Sequence, residues 1–139
     1  MGKVEIYIEV VNNKDLLRAE EKLIKESEVK KISLDKVLVD TGATTLCLPK
    51  KYIEQLGLPM AREVVVSTAT GDYVTNIYSN ALLTVKGRSS IVEVIELHDN
   101  AIPLLGVIPM EILGLEVDVV RHELRLLPDH SKDTYLMVY

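Results

Sequence analysis

A mostly β domain with about three short helices is the fold class the sequence predicts, and three observations carry it. Near the N-terminus Val4, Ile6, Ile8 and Val10 alternate with Lys3, Glu5, Tyr7 and Glu9, the period-2 pattern of a half-buried strand. Short apolar runs then recur along the chain, separated by turn residues such as the "ATGD" at 69–72. Only three stretches show helical spacing, and two of these have proline at the start and glycine at the end. With 139 residues, 47% of them hydrophobic, the chain suits one domain with a core of its own, while two domains would crowd it.

The elements follow in order. After the first strand "NNKD" punctuates the chain. Leu16, Leu17, Ala19, Leu23 and Ile24 then recur at helical spacing, which predicts a short amphipathic helix or helical excursion within 13–27, capped by Asn13 or Asp15, its charges forming a solvated face. Residues 29–39 return to an extended pattern and run into Asp40. "LCLP" precedes a helix at 50–56, since Pro49 suits a first helical turn and Gly57 the left-handed position after a last one. "REVVVST" and "YVTNIYSNALLTVKG" flank the polar turn and form a hairpin. "SSIVEVIEL" is another strand, "HDNAI" a loop and "PLLGV" a short buried strand; residues 108–113 form a helix of one to two turns, opened by Pro109 and ended by Gly114. "LEVDVVRHELRLL" predicts a closing hairpin, and "TYLMVY" a terminal strand whose edge calls for a pairing partner, in the same subunit or in another.

The single domain thus spans 1–139, as an N-terminal strand and helical excursion (1–28), a core (29–127) and a C-terminal strand (128–139). Within it "LCLPKKYIEQLGL" and "GVIPMEILGL" echo each other: an apolar-proline step, a helix, then Leu-Gly-Leu, with the second helix about a turn shorter. Such an echo fits two related halves about a pseudo-twofold axis.

Several function classes fall away on composition. The net charge of −5 is spread in mixed-sign clusters with no basic stripe, so no nucleic acid is expected as a partner. One cysteine, Cys47, cannot form an internal disulfide and lies in an apolar run, which points to a reduced interior and a cytoplasmic location. The first ten residues alternate where a signal peptide would be continuously apolar, and Ile6 stands where a myristoylation signal has Ser or Thr. The longest apolar region, 101–117, carries Glu111, Glu116 and two prolines, so no membrane span is expected. His98, His122 and His130 share no ligand spacing with each other or with Cys47, so neither a metal nor a cofactor is expected. Nucleophilic-serine and phosphate-loop signatures are absent.

The informative stretch is Leu38 to Pro49, "LVDTGATTLCLP". A carboxylate, Asp40, ends an apolar run and is followed at once by Thr41 and Gly42. The sheet anchors its backbone, amide N–H groups and a hydroxyl lie within reach, and glycine lets another backbone come close. That is a way to hold an acid rigidly in a partly dry site. Asp35 and Asp118 lack the Thr-Gly turn and read as surface or capping residues.

Here the sequence resembles the aspartic proteases, specifically the single-lobed, retropepsin-like type. The resemblance rests on Leu38-Val39-Asp40-Thr41-Gly42-Ala43 followed by "LCLP", on the hairpin with "ATGD" at its tip, and on Pro103-Leu104-Leu105-Gly106 followed by "PMEILG", in the family's order over about 29–117. It implies a closed β-barrel-like aspartic protease lobe, working as a symmetric homodimer on peptide or protein substrates. Carried over residue by residue, Asp40 is the catalytic carboxylate, Thr41 locks paired active-site loops and Gly42 shapes the loop. Ala43 and the flap residues Ala69, Thr70, Gly71 and Asp72 meet the substrate; Leu104, Leu105 and Gly106 support the loop. Tyr73 and Tyr78 either line the cleft or pack across the hairpin.

The chemistry implied needs two carboxylates sharing one proton, and the chain has a single Asp-Thr-Gly. The second acid must come from a second copy. Ala43 cannot donate the hydrogen bond that Ser or Thr there gives in pepsin-like enzymes, which points to a working range nearer neutrality. Thr44 and Val107 replace an acid–arginine pair found in many viral relatives, so neither charge is orphaned. The alternative reading is a dimerisation or peptide-binding module that keeps the fold with little turnover.

Overall fold

A computed structural model describes residues 3–128 and Val138. Among the described residues there are nine strands and three α-helices: β1 (Glu5–Asn12), α1 (Asn13–Glu20), β2 (Lys31–Val39), β3 (Leu46–Pro49), α2 (Lys50–Leu56), β4 (Met60–Thr68), β5 (Gly71–Val85), β6 (Arg88–Leu97), β7 (Leu104–Leu105), α3 (Val107–Leu113), β8 (Leu115–Asp118) and β9 (Glu123–Leu126). A 3-10 turn at Glu26–Glu28 leads back from α1 to β2. The main sheet runs β1-β2-β7-β3-β6-β5-β4, and β1 also pairs with β5 over residues 9–12. That last pairing closes β1, β2, β7, β3, β6 and β5 into a barrel, the closed form expected, and leaves the far end of the β4–β5 hairpin projecting from it. β8 and β9 form a separate two-stranded ribbon.

Alternation in β1 places Ile6, Ile8 and Val10 inside, with the intervening Glu5, Tyr7 and Glu9 outside. Val37, Leu46, Leu48, Leu83, Val94 and Leu105 complete the fully buried centre of the barrel. β3 is buried at every residue, because it lies between β7 and β6 and carries α2 directly behind it. Both α2 and α3 end on a left-handed glycine, Gly57 at φ 62° and Gly114 at φ 65°, and each is followed by a buried leucine, Leu58 and Leu115. The echo in the sequence is therefore also an echo in space. The two helices are equal, seven residues each, and not a turn apart in length. α3 begins at Val107, ahead of Pro109; proline is tolerated in a first turn, where its missing N–H has no helical acceptor.

The N-terminal excursion departs from its expected form. Its cap is Asn12, whose Oδ1 accepts the N–H of Asp15 at 3.1 Å, and neither Asn13 nor Asp15 fills that role. The helix stops at Glu20, Lys22 turns at φ 62°, and Leu23 is exposed, so the apolar spacing across 16–24 never becomes one helical face. The buried residue is instead Asp15, expected on the solvated side; its carboxylate accepts the Lys30 N–H at 3.1 Å and faces the Lys30 ammonium at 3.7 Å. Both partners come from one residue fifteen positions along the chain, so the contact ties α1 to the entry of β2. The hairpin tip is Ala69-Thr70, with Gly71 and Asp72 already in β5. The terminal strand expected at "TYLMVY" and His130 lie outside the described residues, Val138 excepted.

Candidate active site

Asp40 stands where the barrel opens. β2 and β7 are parallel, with Leu38 opposite Leu104 and Val39 opposite Leu105, and the Asp40 N–H continues the ladder to the Leu105 carbonyl at 3.0 Å. The chain then turns: Ala43 N–H bonds the Asp40 carbonyl at 3.1 Å, and Gly42 N–H bonds the carboxylate Oδ1 at 2.8 Å. One oxygen is thus held by a backbone donor. A β-carbon at Gly42 would stand 3.1 Å from that same oxygen and crowd it.

The loop carbonyls are tied down from the other side. Gly106, Val107 and Ile108 donate to the carbonyls of Thr45, Ala43 and Thr44 at 3.0, 2.9 and 2.8 Å. First-turn amides of a helix have no partner within it, so those of α3 are free to hold the Asp40 loop. The approach is close enough that a β-carbon at Gly106 would lie 2.5 Å from the oxygens of both Ala43 and Thr45. Leu104, half-buried, and Leu105, fully buried, lie next to this junction, as does Gly106.

A cleft of about 600 Å³ separates the loop from the β4–β5 hairpin. Asp40, Gly42 and Ala43 lie on one side, and residues 64–68 and Tyr73 line it from the hairpin. Cys47, Ile77, Ile95 and Leu104 close the inner wall. The expected flap residues Ala69, Thr70, Gly71 and Asp72 are exposed at the tip and do not line this cleft. It is the arms of the hairpin, along residues 64–68 and at Tyr73, and not its turn, that border the cleft. The tip is knotted on itself: the Thr68 hydroxyl donates to the Gly71 carbonyl at 2.7 Å and accepts the Thr70 N–H at 3.3 Å. Residues 64–68 and Cys47 were therefore missed as cleft residues; the hairpin reading of "REVVVST" placed the first of these on an arm without setting them against the Asp40 loop. Of the two tyrosines, Tyr73 reaches the cleft; Tyr78 donates to Glu96 Oε1 at 2.7 Å, and burial, then that contact, raise its pKa.

Thr41 does not line this cleft. It is exposed, its hydroxyl bonds no described residue, and it lines a second cavity of about 410 Å³ that Asp40 also borders, with Lys3, Val39, Val119 and His122. Asp118 caps a turn, accepting the Val120 and Arg121 N–H groups at 3.0 Å each, as its sequence context suggested. Burial, and then the charge of Asp40, push the Cys47 thiol up to about 11, so it is no nucleophile at neutral pH. Among the described residues no group of three or more His, Cys, Asp or Glu could hold a metal ion, and no helix is long and apolar enough to cross a membrane. What the site offers is one rigid carboxylate facing an apolar cleft.

Comparison with known proteins came to a family and to viral enzymes. Residues 27–115 match the family described as "gag-polyprotein putative aspartyl protease". No curated protein matches. Among solved structures, the chain is similar to the EIAV protease complexed with the inhibitor HBY-793, at 17% identity over 76% of this chain and 82% of that one, with a TM-score of 0.47. It is similar also to the Simian Foamy Virus (mac) protease in solution, at 27% identity over 53% of this chain and 76% of that one, with a TM-score of 0.41. The family match takes in the Asp40 loop, the hairpin and the Gly106 junction, well over half of the chain, and the chain belongs to the retropepsin-like, gag-associated aspartyl protease family.

Proposed function

We propose that the protein is an aspartic endopeptidase whose reaction centre is a pair of Asp40 side chains, one from each subunit of a homodimer. The observation that carries this is the Asp40 carboxylate, tied at Oδ1 by the Gly42 N–H and facing an apolar cleft beneath a β-hairpin. One such carboxylate per chain cannot act alone. Two of them a few ångströms apart share a proton, because like charges that close do not both ionise. The charged partner takes a proton from a water, whose oxygen attacks the scissile carbonyl carbon, while the protonated partner donates to the carbonyl oxygen. Proton transfer to the amide nitrogen then releases the amine as the C–N bond breaks. The scheme draws on no metal or cofactor.

The exposed Thr41, with its hydroxyl unused by described residues, supports a role across the subunit boundary. An unpaired, buried Cys47 supports a reducing, cytoplasmic setting.

The test is cleavage of a peptide library by the wild type and by Asp40→Asn, with the assembly mass measured at the same concentrations. Cleavage by a dimer, lost in Asp40→Asn, is the expected result. Cleavage that survives the substitution, or full activity in a stable monomer, would overturn the reading. Peptide binding without turnover would instead favour a binding module.

A further inference from the structure

The cleft does not end at the hairpin. Thr44, Ile77 and Ile95 line both it and a neighbouring groove of about 370 Å³, so the two spaces meet along those three residues. The groove is walled by Ile91 on β6 and by Ile108 and Ile112 on α3. Ile91 is 53% exposed and Ile108 46%, an unusual degree for two isoleucines facing the same hollow.

Its charges cancel. The only ionic groups on its wall among the described residues are Arg62 and Glu93, which bond each other twice, at 2.6 and 3.2 Å. Each satisfies the other, so the pair presents neither sign to an occupant. Thr44 sits at the junction with its carbonyl already given to Ile108 and its hydroxyl bonding no described residue, which leaves a polar group free for a passing backbone.

We propose that this groove is an outer specificity subsite, which takes an aliphatic side chain of the peptide substrate some residues away from the bond that is cut. The proposal rests on the endopeptidase reading and specifies its substrate. An extended peptide advances about 3.3 Å per residue and turns alternate side chains to the same wall, so a strand leaving Asp40 past Thr44 delivers one side chain into the groove. Aliphatic occupants follow from an apolar wall with a self-neutralised rim. In a symmetric dimer the groove occurs twice, so the preference falls at the same distance on both sides of the scissile bond.

The experiment is cleavage of position-scanned peptides by the wild type, Ile91→Lys and Ile108→Lys, with the assembly mass recorded for each. In the wild type, Ile, Leu or Val at one outer position, mirrored across the bond, should raise kcat/KM about tenfold or more over Asp or Lys there. Either lysine variant should reverse the order, favouring Asp or Glu at that position. Such a switch is a gain that a misfolded protein cannot mimic. A wild type that cleaves with no outer preference overturns the subsite and leaves the endopeptidase reading standing. So does a preference that neither variant alters, or a variant that loses dimer mass with its preference intact, which would make the groove a subunit contact. A wild type that cleaves nothing removes both.

Discussion

Asn12 and Arg88 do the same work at the two ends of the repeat. Asn12 Nδ2 donates to the carbonyls of Leu56 and Gly57 at 2.8 and 3.2 Å; Arg88 Nη1 donates to those of Leu113 and Gly114 at 2.8 and 2.9 Å. In each case the acceptors are the last helical residue and its left-handed glycine, carbonyls that a helix leaves without an internal partner. Arg88 reaches further, to the Leu127 carbonyl at 2.7 Å, and so also fastens the chain beyond β9.

Both donors are buried, at 4% and 2% exposure, so their loss strands acceptors out of reach of water. Asn12→Ala should cost about 1 to 3 kcal/mol, and Arg88→Met about 3 kcal/mol or more because three carbonyls are involved. Arg88→Lys should recover part of the loss, since a single ammonium cannot reproduce the fork. Urea unfolding would measure this as a fall in midpoint with the slope unchanged. A change for Arg88→Met within about 0.5 kcal/mol, the range of surface substitutions, would show that the carbonyls find other donors.

Gly106 is fixed by contact rather than by torsion, its φ being an ordinary −94°. A β-carbon 2.5 Å from two carbonyl oxygens has no flexible side chain to push aside, only the backbone of the Asp40 loop. Gly106→Ala should therefore destabilise by about 3 kcal/mol, at the upper end for overpacking, and abolish cleavage where the protein stays folded. Retained activity would mean that the loop and α3 separate without harm to Asp40.

The strands, the presence of α2 and α3 (though not the full length of α3) and the carboxylate turn were legible in the sequence because each is set by neighbours. Alternation marks β1, proline and glycine bracket α2, and Asp-Thr-Gly follows an apolar run. What was not legible is set by residues far apart in the chain. Asn12 and Arg88 differ in type and lie 44 and 25 positions from the carbonyls they hold, so no spacing rule connects them. The α1 helix was misjudged in its extent: its apolar residues had helical spacing, but the chain leaves the helix after Glu20, turns at Lys22 and exposes Leu23. Cys47 read as core and is core, yet it also faces the cleft, a dual position that only the barrel's curvature creates.

The Cys47 thiol gives a spectroscopic check on that position. Burial first, and the Asp40 charge second, raise it from 9.0 to about 11. The sign is that of a raised folded-state value: the folded chain holds its proton where the unfolded chain has released it. Stability contributed by this group is complete below about pH 9 and is lost as the pH climbs to about 11. Thiolate absorbance should titrate near the upper value in the native protein and near the lower one in urea. In Asp40→Asn the native midpoint should fall, though by less than the burial contribution. Native titration at the unfolded value would place the thiol in open solvent.

Ala43 bounds the cleft beside Asp40 and has no side-chain donor to offer its carboxylate. Hydrogen bonds to a charged form favour that form, so Ala43→Ser should move the acid limb of the kcat/KM profile to lower pH while the wild type works nearer neutrality. Profiles of the two proteins on one peptide decide it. Coincident acid limbs, or a wild-type optimum below about pH 3 where both carboxyls would ordinarily be protonated, would rule the effect out.

The shared site makes a prediction about mixtures. If each centre takes one Asp40 from each subunit, an Asp40→Asn chain still folds and pairs, and it inactivates whichever wild-type chain it joins. Random pairing at equal concentrations leaves a quarter of the dimers wild type on both sides, so total cleavage should fall to roughly half that of the wild type alone. Activity should fall further as the variant is raised into excess, and with a lag if subunit exchange is slow. Dilution should act in the same direction, the rate dropping faster than the protein concentration once dimers dissociate. A site complete within one chain would give neither effect: adding Asp40→Asn would leave the rate untouched, and activity would stay proportional to wild-type protein at every dilution.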